Sequence, residues 1–149
     1  MKRIVFPEKW TTDEWYGFKR YHFEFENCKA WIAEPKYPAG DGRWSWCTVW
    51  PEAYVRRVGI VDLLEHGFYH VHIDAFAFRA SPEGVAVMGR FHDFLVSMGL
   101  SEKTNLIGMS WGDFSLCVTQ KPSPSGSPPC IWTLLSATPQ IRYVLMASV

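Results

Sequence analysis

The sequence lacks an excess of charge of either sign, since its 15 lysine and arginine residues balance 15 aspartate and glutamate residues. Nucleic acids and anionic membranes attract clustered positive charge, so this balance predicts neither as a partner. No apolar run is long enough to span a bilayer, and the chain reaches Pro7 and Glu8 too early for the apolar region of a signal peptide. These absences predict a soluble, cytoplasmic protein.

Cysteine is also sparse, and its few positions form no Cys-x-x-Cys pair. The four cysteines are Cys28, Cys47, Cys117 and Cys130. A zinc site needs closer ligands and a disulfide framework is normally denser, so we interpret them as buried or free thiols. Gly-x-Gly-x-x-Gly and the phosphate-loop lysine pattern are missing as well, which argues against a nucleotide binder and predicts no cofactor.

What the chain does contain is enough apolar material for one core. Its 149 residues are 48% apolar and 16% aromatic, which fits a single domain. Residues 21–26 alternate apolar and polar side chains, and residues 29–33 supply a partner strand after a short turn, so the pattern predicts a hairpin. Residues 1–20 carry aromatic side chains without a clean period and are interpreted as an irregular arm packed on the body.

Strands and helices are predicted to alternate after this hairpin. Ser81 and Pro82 are typical of a helix start, and Gly67 and Gly99 of helix ends. The predicted elements are a strand within 43–50, a helix at 54–66, a strand at 68–75, a helix at 82–98 and a strand at 104–109. This order predicts an α/β fold with a mostly parallel sheet, an antiparallel N-terminal hairpin and helices on both faces.

The last of these strands runs into Gly108-Met109-Ser110-Trp111-Gly112, a Gly-x-Ser-x-Gly motif. A serine held on a tight strand-to-helix turn crowds the residues two positions away on each side, so glycines there give the backbone room. The turn would project the Ser110 hydroxyl above the sheet, beside backbone N–H groups suited to a developing oxyanion. This motif is the strongest chemical signal in the sequence.

These features together resemble the α/β-hydrolase fold family over roughly residues 17–116. The matching pieces are the strand at 42–46, the turn at 63–68, Asp74 at a strand end, the helix start at 80–82 and the turn at 108–112. Asp113 departs from the pattern, because many members have a small residue there. The resemblance implies a serine hydrolase, most plausibly an esterase acting on a small acyl ester.

The resemblance also implies roles for particular residues. Ser110 matches the nucleophile that forms an acyl-enzyme, and Gly108 and Gly112 match the elbow glycines. The backbone N–H of Trp111 matches one oxyanion donor. A second is expected from the loop after the strand that holds Trp44 and Trp46, within residues 47–50, with the backbone of Cys47 or Thr48 as the expected source.

The rest of the catalytic triad departs from the family. The acid and the histidine should follow the serine, but Asp113 is the only acidic residue after Ser110 and all five histidines precede it. The triad acid and histidine therefore remain unidentified. We divide the chain into a partial hydrolase domain at 1–116 and an atypical Pro/Ser-rich tail at 117–149. The abrupt loss of pattern motivates the hypothesis that a frameshift near Gly112 or Asp113 replaced the C-terminal half, which sequencing of the locus would test.

Several other residues have a functional and a structural interpretation. His70 and His72 lie on one face of a strand and would ligate a metal only with a third group that the sequence does not place, so no metal is predicted. Asp74 at a strand end suits either ligand contact or a loop cap. His66 is expected to interact with a helix C-terminus, and His92 to face solvent from its helix.

Three functions remain open from the sequence. The first is the serine esterase, impaired or inactive because base and acid are missing. The second is a non-catalytic remnant or binding module that retains the half-sheet. The third is a doubly wound nucleotide binder, which lacks its motifs. The sequence leaves the oligomeric state undetermined.

Overall fold

The computed structural model describes residues 4–78, 81–109 and 132–135, and these form one seven-stranded sheet flanked by two α-helices. The strands are β1 (Thr11–Trp15), β2 (Phe18–Phe25), β3 (Cys28–Glu34), β4 (Trp44–Cys47), β5 (Tyr69–Ile73), β6 (Asn105–Met109) and β7 (Trp132–Leu135). The helices are α1 (Ile60–Glu65) and α2 (Pro82–Met98), with a 3₁₀ turn at Phe76–Phe78. The strand order is β1-β2-β3-β5-β4-β6-β7.

The sheet is mixed, so the prediction of a mostly parallel sheet is wrong. The β1–β2, β2–β3 and β3–β5 pairs are antiparallel. The β4–β5, β4–β6 and β6–β7 pairs are parallel. Two-residue turns with left-handed backbone join the first three strands, at Tyr16-Gly17 and Glu26-Asn27. Such turns match the twist of antiparallel neighbours, which is why β1, β2 and β3 pair antiparallel with one another.

Strand β1 was not expected, since its residues fall in the predicted irregular arm. Thr11 to Glu14 are exposed and only Trp15 is buried, so β1 shows no apolar alternation. Pairing with β2 defines the strand instead. The residues before it do pack as an arm: Phe6 stacks on Tyr21 with ring centroids 4.0 Å apart.

Helices cover both faces of the sheet, as predicted. Strand β3 shows the alternation, because Ile32 points to the side packed by α2 while Trp31 and Ala33 point to the side packed by α1. We call these sides the α2 face and the α1 face. Each face has its own buried hydrophobic cluster, so the sheet separates two cores.

Helix α2 forms where the sequence predicts it. The Ser81 hydroxyl accepts a hydrogen bond from the Gly84 N–H at 3.1 Å, Pro82 follows at the first helical position, and the helix ends at Gly99 in a left-handed conformation with φ of 113°. Phe91 and Leu95 are fully buried against the sheet. The helix spans the interval between β5 and β6 on the α2 face.

Helix α1 is much shorter than the predicted helix over residues 54–66. It begins at Ile60, after a series of turns, because Gly59 has a left-handed backbone with φ of 79° and interrupts any earlier helix. Tyr54 is also left-handed, with φ of 55°. The residues before Ile60 therefore form a shaped loop that leads from β4 to the helix.

Candidate functional site

The three parallel strands β4, β5 and β6 end at one edge of the sheet. Cys47, the last residue of β4, is level with His72 of β5 and Ile107 of β6. The chain leaves β4 toward α1 on one face and leaves β5 toward α2 on the other face. Adjacent strands whose connections diverge in this way open a crevice at their carboxyl ends, where open α/β sheets bind ligands.

The serine motif begins at this edge. Gly108 is the next-to-last residue of β6, while Ser110, Trp111 and Gly112 lie outside the described residues, as does Asp113. Strand β4 neighbours β6, which brings the end of β4 beside the start of the motif.

The polar atoms at the end of β4 differ in their partners. Cys47 is the final residue of the strand, and its carbonyl oxygen accepts a hydrogen bond from a histidine on β5. Thr48 follows directly, and its Oγ1 is buried without a hydrogen-bond partner in the part of the chain that the structure describes. Burial raises the pKa of the Cys47 thiol to about 12, so this cysteine is not a thiolate nucleophile near neutral pH.

The loop after β4, residues 48–59, is held in place by contacts with the edge hairpin. Glu52 accepts hydrogen bonds from Trp15 Nε1 at 2.8 Å and from Arg20 Nη1 at 2.9 Å. Arg20 in turn binds Asp13 through two hydrogen bonds of 2.9 and 2.6 Å. Sequence reasoning missed Glu52, because its partners lie 37 and 32 positions away and no local pattern connects them.

The same loop presents two aromatic side chains in strained backbone. Trp50 and Tyr54 both have φ of 55° and both are exposed, at 47% and 64% of their surface. The Trp50 ring lies 5.6 Å from Phe76, which follows β5, so the two residues connect the loops that flank the crevice. Left-handed conformations in non-glycine residues concentrate at functional sites, which supports this edge as the candidate site.

All five histidines belong to the described residues, and each has a structural partner. The contacts are His22 Nε2 with Asp13 Oδ1 at 3.0 Å, His66 Nδ1 with the Asp62 carbonyl oxygen at 2.7 Å, His70 Nδ1 with Ser45 Oγ at 2.7 Å, His72 Nδ1 with the Cys47 carbonyl oxygen at 2.8 Å and His92 Nε2 with the Glu102 carbonyl oxygen at 3.0 Å. None lies on β4, β6 or β7, the strands at the serine motif. The described residues thus bring no histidine onto the strands beside this motif.

Two histidine expectations have clear outcomes. His66 caps the end of α1 as predicted, through its contact with the Asp62 carbonyl oxygen. His92 was expected to face solvent but is half-buried, with its ring 5.7 Å from the ring of Trp44. The reason is that the segment before β6 packs against α2 and supplies the Glu102 carbonyl to the His92 ring.

Burial controls the protonation of the two strand histidines. Desolvation lowers the pKa of His70 to about 3, with a smaller contribution from His72, and desolvation also lowers the pKa of His72. Both imidazoles are therefore neutral at physiological pH. Within residues 4–78, 81–109 and 132–135, no group of three or more histidine, cysteine, aspartate or glutamate side chains is arranged to hold a metal ion.

Solved structures supply a match for this arrangement of strands. A cold-adapted esterase from an Arctic intertidal metagenomic library aligns with 74% of this chain and 57% of its own length, at 16% sequence identity and a TM-score of 0.52. The chain has the α/β-hydrolase fold. It spans little more than half the length of that esterase, and the low identity establishes the fold alone.

Two further structures of the same fold align less closely. Est1E from Butyrivibrio proteoclasticus is 14% identical, with 74% of this chain and 44% of its own covered at a TM-score of 0.47. Epoxide hydrolase A from Mycobacterium thermoresistibile is 19% identical, with 73% and 34% covered at a TM-score of 0.46. No protein-family model matches the sequence, and no curated protein matches it significantly.

No helix among the described residues is long and apolar enough to cross a membrane.

Proposed function

We propose that this chain derives from a serine hydrolase that acts on small acyl esters through an acyl-enzyme. The observation that carries the proposal is the Gly-x-Ser-x-Gly motif, which begins at the end of β6 in a chain with the α/β-hydrolase fold. Ser110 is the proposed nucleophile, and Gly108 and Gly112 are the proposed elbow glycines. The Arctic esterase that shares the fold supports the choice of ester chemistry.

The proposed oxyanion hole combines the Trp111 backbone N–H with a second donor from the end of β4. Cys47 lies in the ladder between β5 and β6, where strand pairing occupies backbone groups. This favours a donor that follows Cys47, from Thr48 to Trp50, over Cys47 itself. The Glu52 contacts and the buried side chains of the loop supply the rigidity that such a donor needs.

The histidine contacts favour a second candidate, a non-catalytic remnant or binding module that retains the half-sheet. All five histidines precede Ser110, and each is committed to a structural partner. A serine without a general base forfeits a factor of about 10² to 10⁴ in rate. We therefore expect catalysis by this chain to be weak or absent even where Ser110 is reactive.

A fluorophosphonate probe separates the two candidates. A reactive elbow predicts covalent labelling of the folded chain that Ser110→Ala abolishes, measured by intact-protein mass spectrometry. Ser97→Ala serves as the control, since Ser97 is exposed on α2 and its hydroxyl donates to the Phe94 carbonyl oxygen. Absence of labelling in soluble, folded protein would contradict the catalytic proposal and leave the binding module.

A further inference from the structure

A pocket lies on the α1 face over β2, β3 and β5. It has a volume of about 430 Å³, and its lining includes Trp31, His72, Glu24, Lys29 and Asp74. Trp31 and His72 are neighbours across β3 and β5, and Glu24 and Lys29 are neighbours across β2 and β3. The volume falls within the range of roughly 300–1,000 Å³ typical of small-molecule sites.

His72 presents a hydrogen-bond acceptor to this pocket. The residue is only 8% exposed, and its Nδ1 lies 2.8 Å from the Cys47 carbonyl oxygen. Since a carbonyl only accepts, Nδ1 carries the proton and Nε2 is left with a free lone pair. Nε2 makes no hydrogen bond to a described residue, and unlike His70 Nε2 it is not sealed from solvent. The lowered pKa of His72 keeps this acceptor unprotonated at neutral pH.

The two carboxylates of the lining also favour a ligand that donates. Asp74 follows β5 two residues after His72, and Glu24 lies across from Lys29. Neither carboxylate forms an ion pair with a described residue, and the two outnumber the single ammonium of Lys29. Trp31, 7% exposed, adds an aromatic wall. The Arg20 guanidinium already lies 5.1 Å from the centre of this ring, so Trp31 offers a ligand apolar contact and not a further site for a cation.

We propose that this pocket binds a small organic amine in its cationic form, with its N–H donating to His72 Nε2, its charge near Asp74 and its apolar part against Trp31. The acceptor and the surplus carboxylate favour a cationic ligand that donates a hydrogen bond, and the aromatic wall favours an apolar part on that ligand. Pro51, from the loop after β4, also lines the pocket, so the site adjoins the loop assigned to the oxyanion hole. The amine site stands independently of the proposed esterase chemistry.

Benzylamine, protonated at neutral pH, is the probe for this site, with benzoate as a probe of equal size and opposite charge. We expect benzylamine to bind the full ¹⁵N-labelled chain at millimolar concentrations and to move the ring ¹⁵N resonance of His72 Nε2, measured by long-range ¹H–¹⁵N NMR. Benzoate should leave that resonance in place. Ser110→Ala should bind benzylamine as the unmodified chain does, which separates this site from the proposed hydrolase function.

Two variants locate the binding. His72→Phe removes the acceptor and keeps a planar ring, and should weaken benzylamine binding about tenfold. Asp74→Asn leaves the His72 contact intact and should weaken benzylamine binding by a factor of about three or more. Asp93 is an exposed carboxylate on α2, so Asp93→Asn should leave benzylamine binding unchanged. The proposal fails if benzylamine does not bind, if benzoate binds equally well, or if Asp74→Asn and Asp93→Asn behave alike.

Discussion

Acidification should destabilise the fold through His70, by an amount that the structure allows to be worked out. His70 is fully buried, its ring is parallel to Trp15 at 5.9 Å, and its Nε2 has no partner among the described residues. Burial lowers its pKa from 6.5 to about 3, so the folded chain stays unprotonated there while the unfolded chain takes up a proton below pH 6.5. The free energy of unfolding therefore carries no penalty from His70 above pH 6.5, and it decreases as the pH falls from 6.5 toward 3.

The size of this reduction in the free energy of unfolding depends on how far the pH lies below 6.5. Each pH unit corresponds to about 1.4 kcal/mol, so at pH 5.0 His70 should reduce the free energy of unfolding by about 2 kcal/mol relative to pH 7.5. Carboxylates and His72 also titrate, and comparison with a variant removes their contribution. The Gln side chain of the His70→Gln variant is neutral at both pH values. Between pH 7.5 and 5.0, the free energy of unfolding of this variant should therefore fall by about 2 kcal/mol less than that of the unmodified chain.

Urea denaturation at the two pH values measures this difference. His66→Gln, at the exposed end of α1, is the control for replacing a histidine by glutamine outside the core. NMR titration of the His70 ring provides an independent measurement and should show no protonation at pH 5.0. The reasoning is refuted if His70→Gln and the unmodified chain lose equal stability on acidification, or if the ring protonates near its ordinary pKa.

Two further predictions concern helix α2. Ser81→Ala removes the side-chain acceptor of the Gly84 N–H and should lower the free energy of unfolding, measured by urea denaturation, by about 1 kcal/mol. Ser97→Ala, the control on the same helix, should leave it nearly unchanged. Equal effects of the two variants would contradict the role of Ser81 as a helix cap. Phe91→Ala should cost about 3–5 kcal/mol, because Phe91 is fully buried between the helix and the sheet; a loss below about 1 kcal/mol would mean that α2 packs differently.

Local signals predicted the elements whose boundaries depend on nearby residues. Helix α2 matches its prediction because Ser81 and Gly99 act within one turn of the helix ends. The β2–β3 hairpin matches because alternation along each strand reflects two differently packed faces. The helix ahead of β5 was overextended, since apolar spacing does not reveal that Gly59 adopts a left-handed backbone.

Nonlocal features were not accessible in the same way. Strand β1 is polar and exposed, and only its pairing with β2 defines it. The antiparallel half of the sheet depends on where β3 inserts, next to β5 rather than β4, which no sequence pattern encodes. In the candidate site, Ser110 was found from its motif and remains a prediction, while Glu52 and the free nitrogen of His72 emerge only from contacts between distant residues.

The aromatic arm ahead of β1 limits how the chain can be handled. Phe6 covers Tyr21, and Trp10 lies flat on Phe23 with ring centroids 3.9 Å apart, so residues 4–10 shield part of β2 from water. Trimming the chain before β1 would uncover a contiguous aromatic patch, and such patches promote self-association. A protease that cuts between Trp10 and Thr11 should therefore reduce solubility, and a fusion partner is better placed ahead of these residues than in exchange for them.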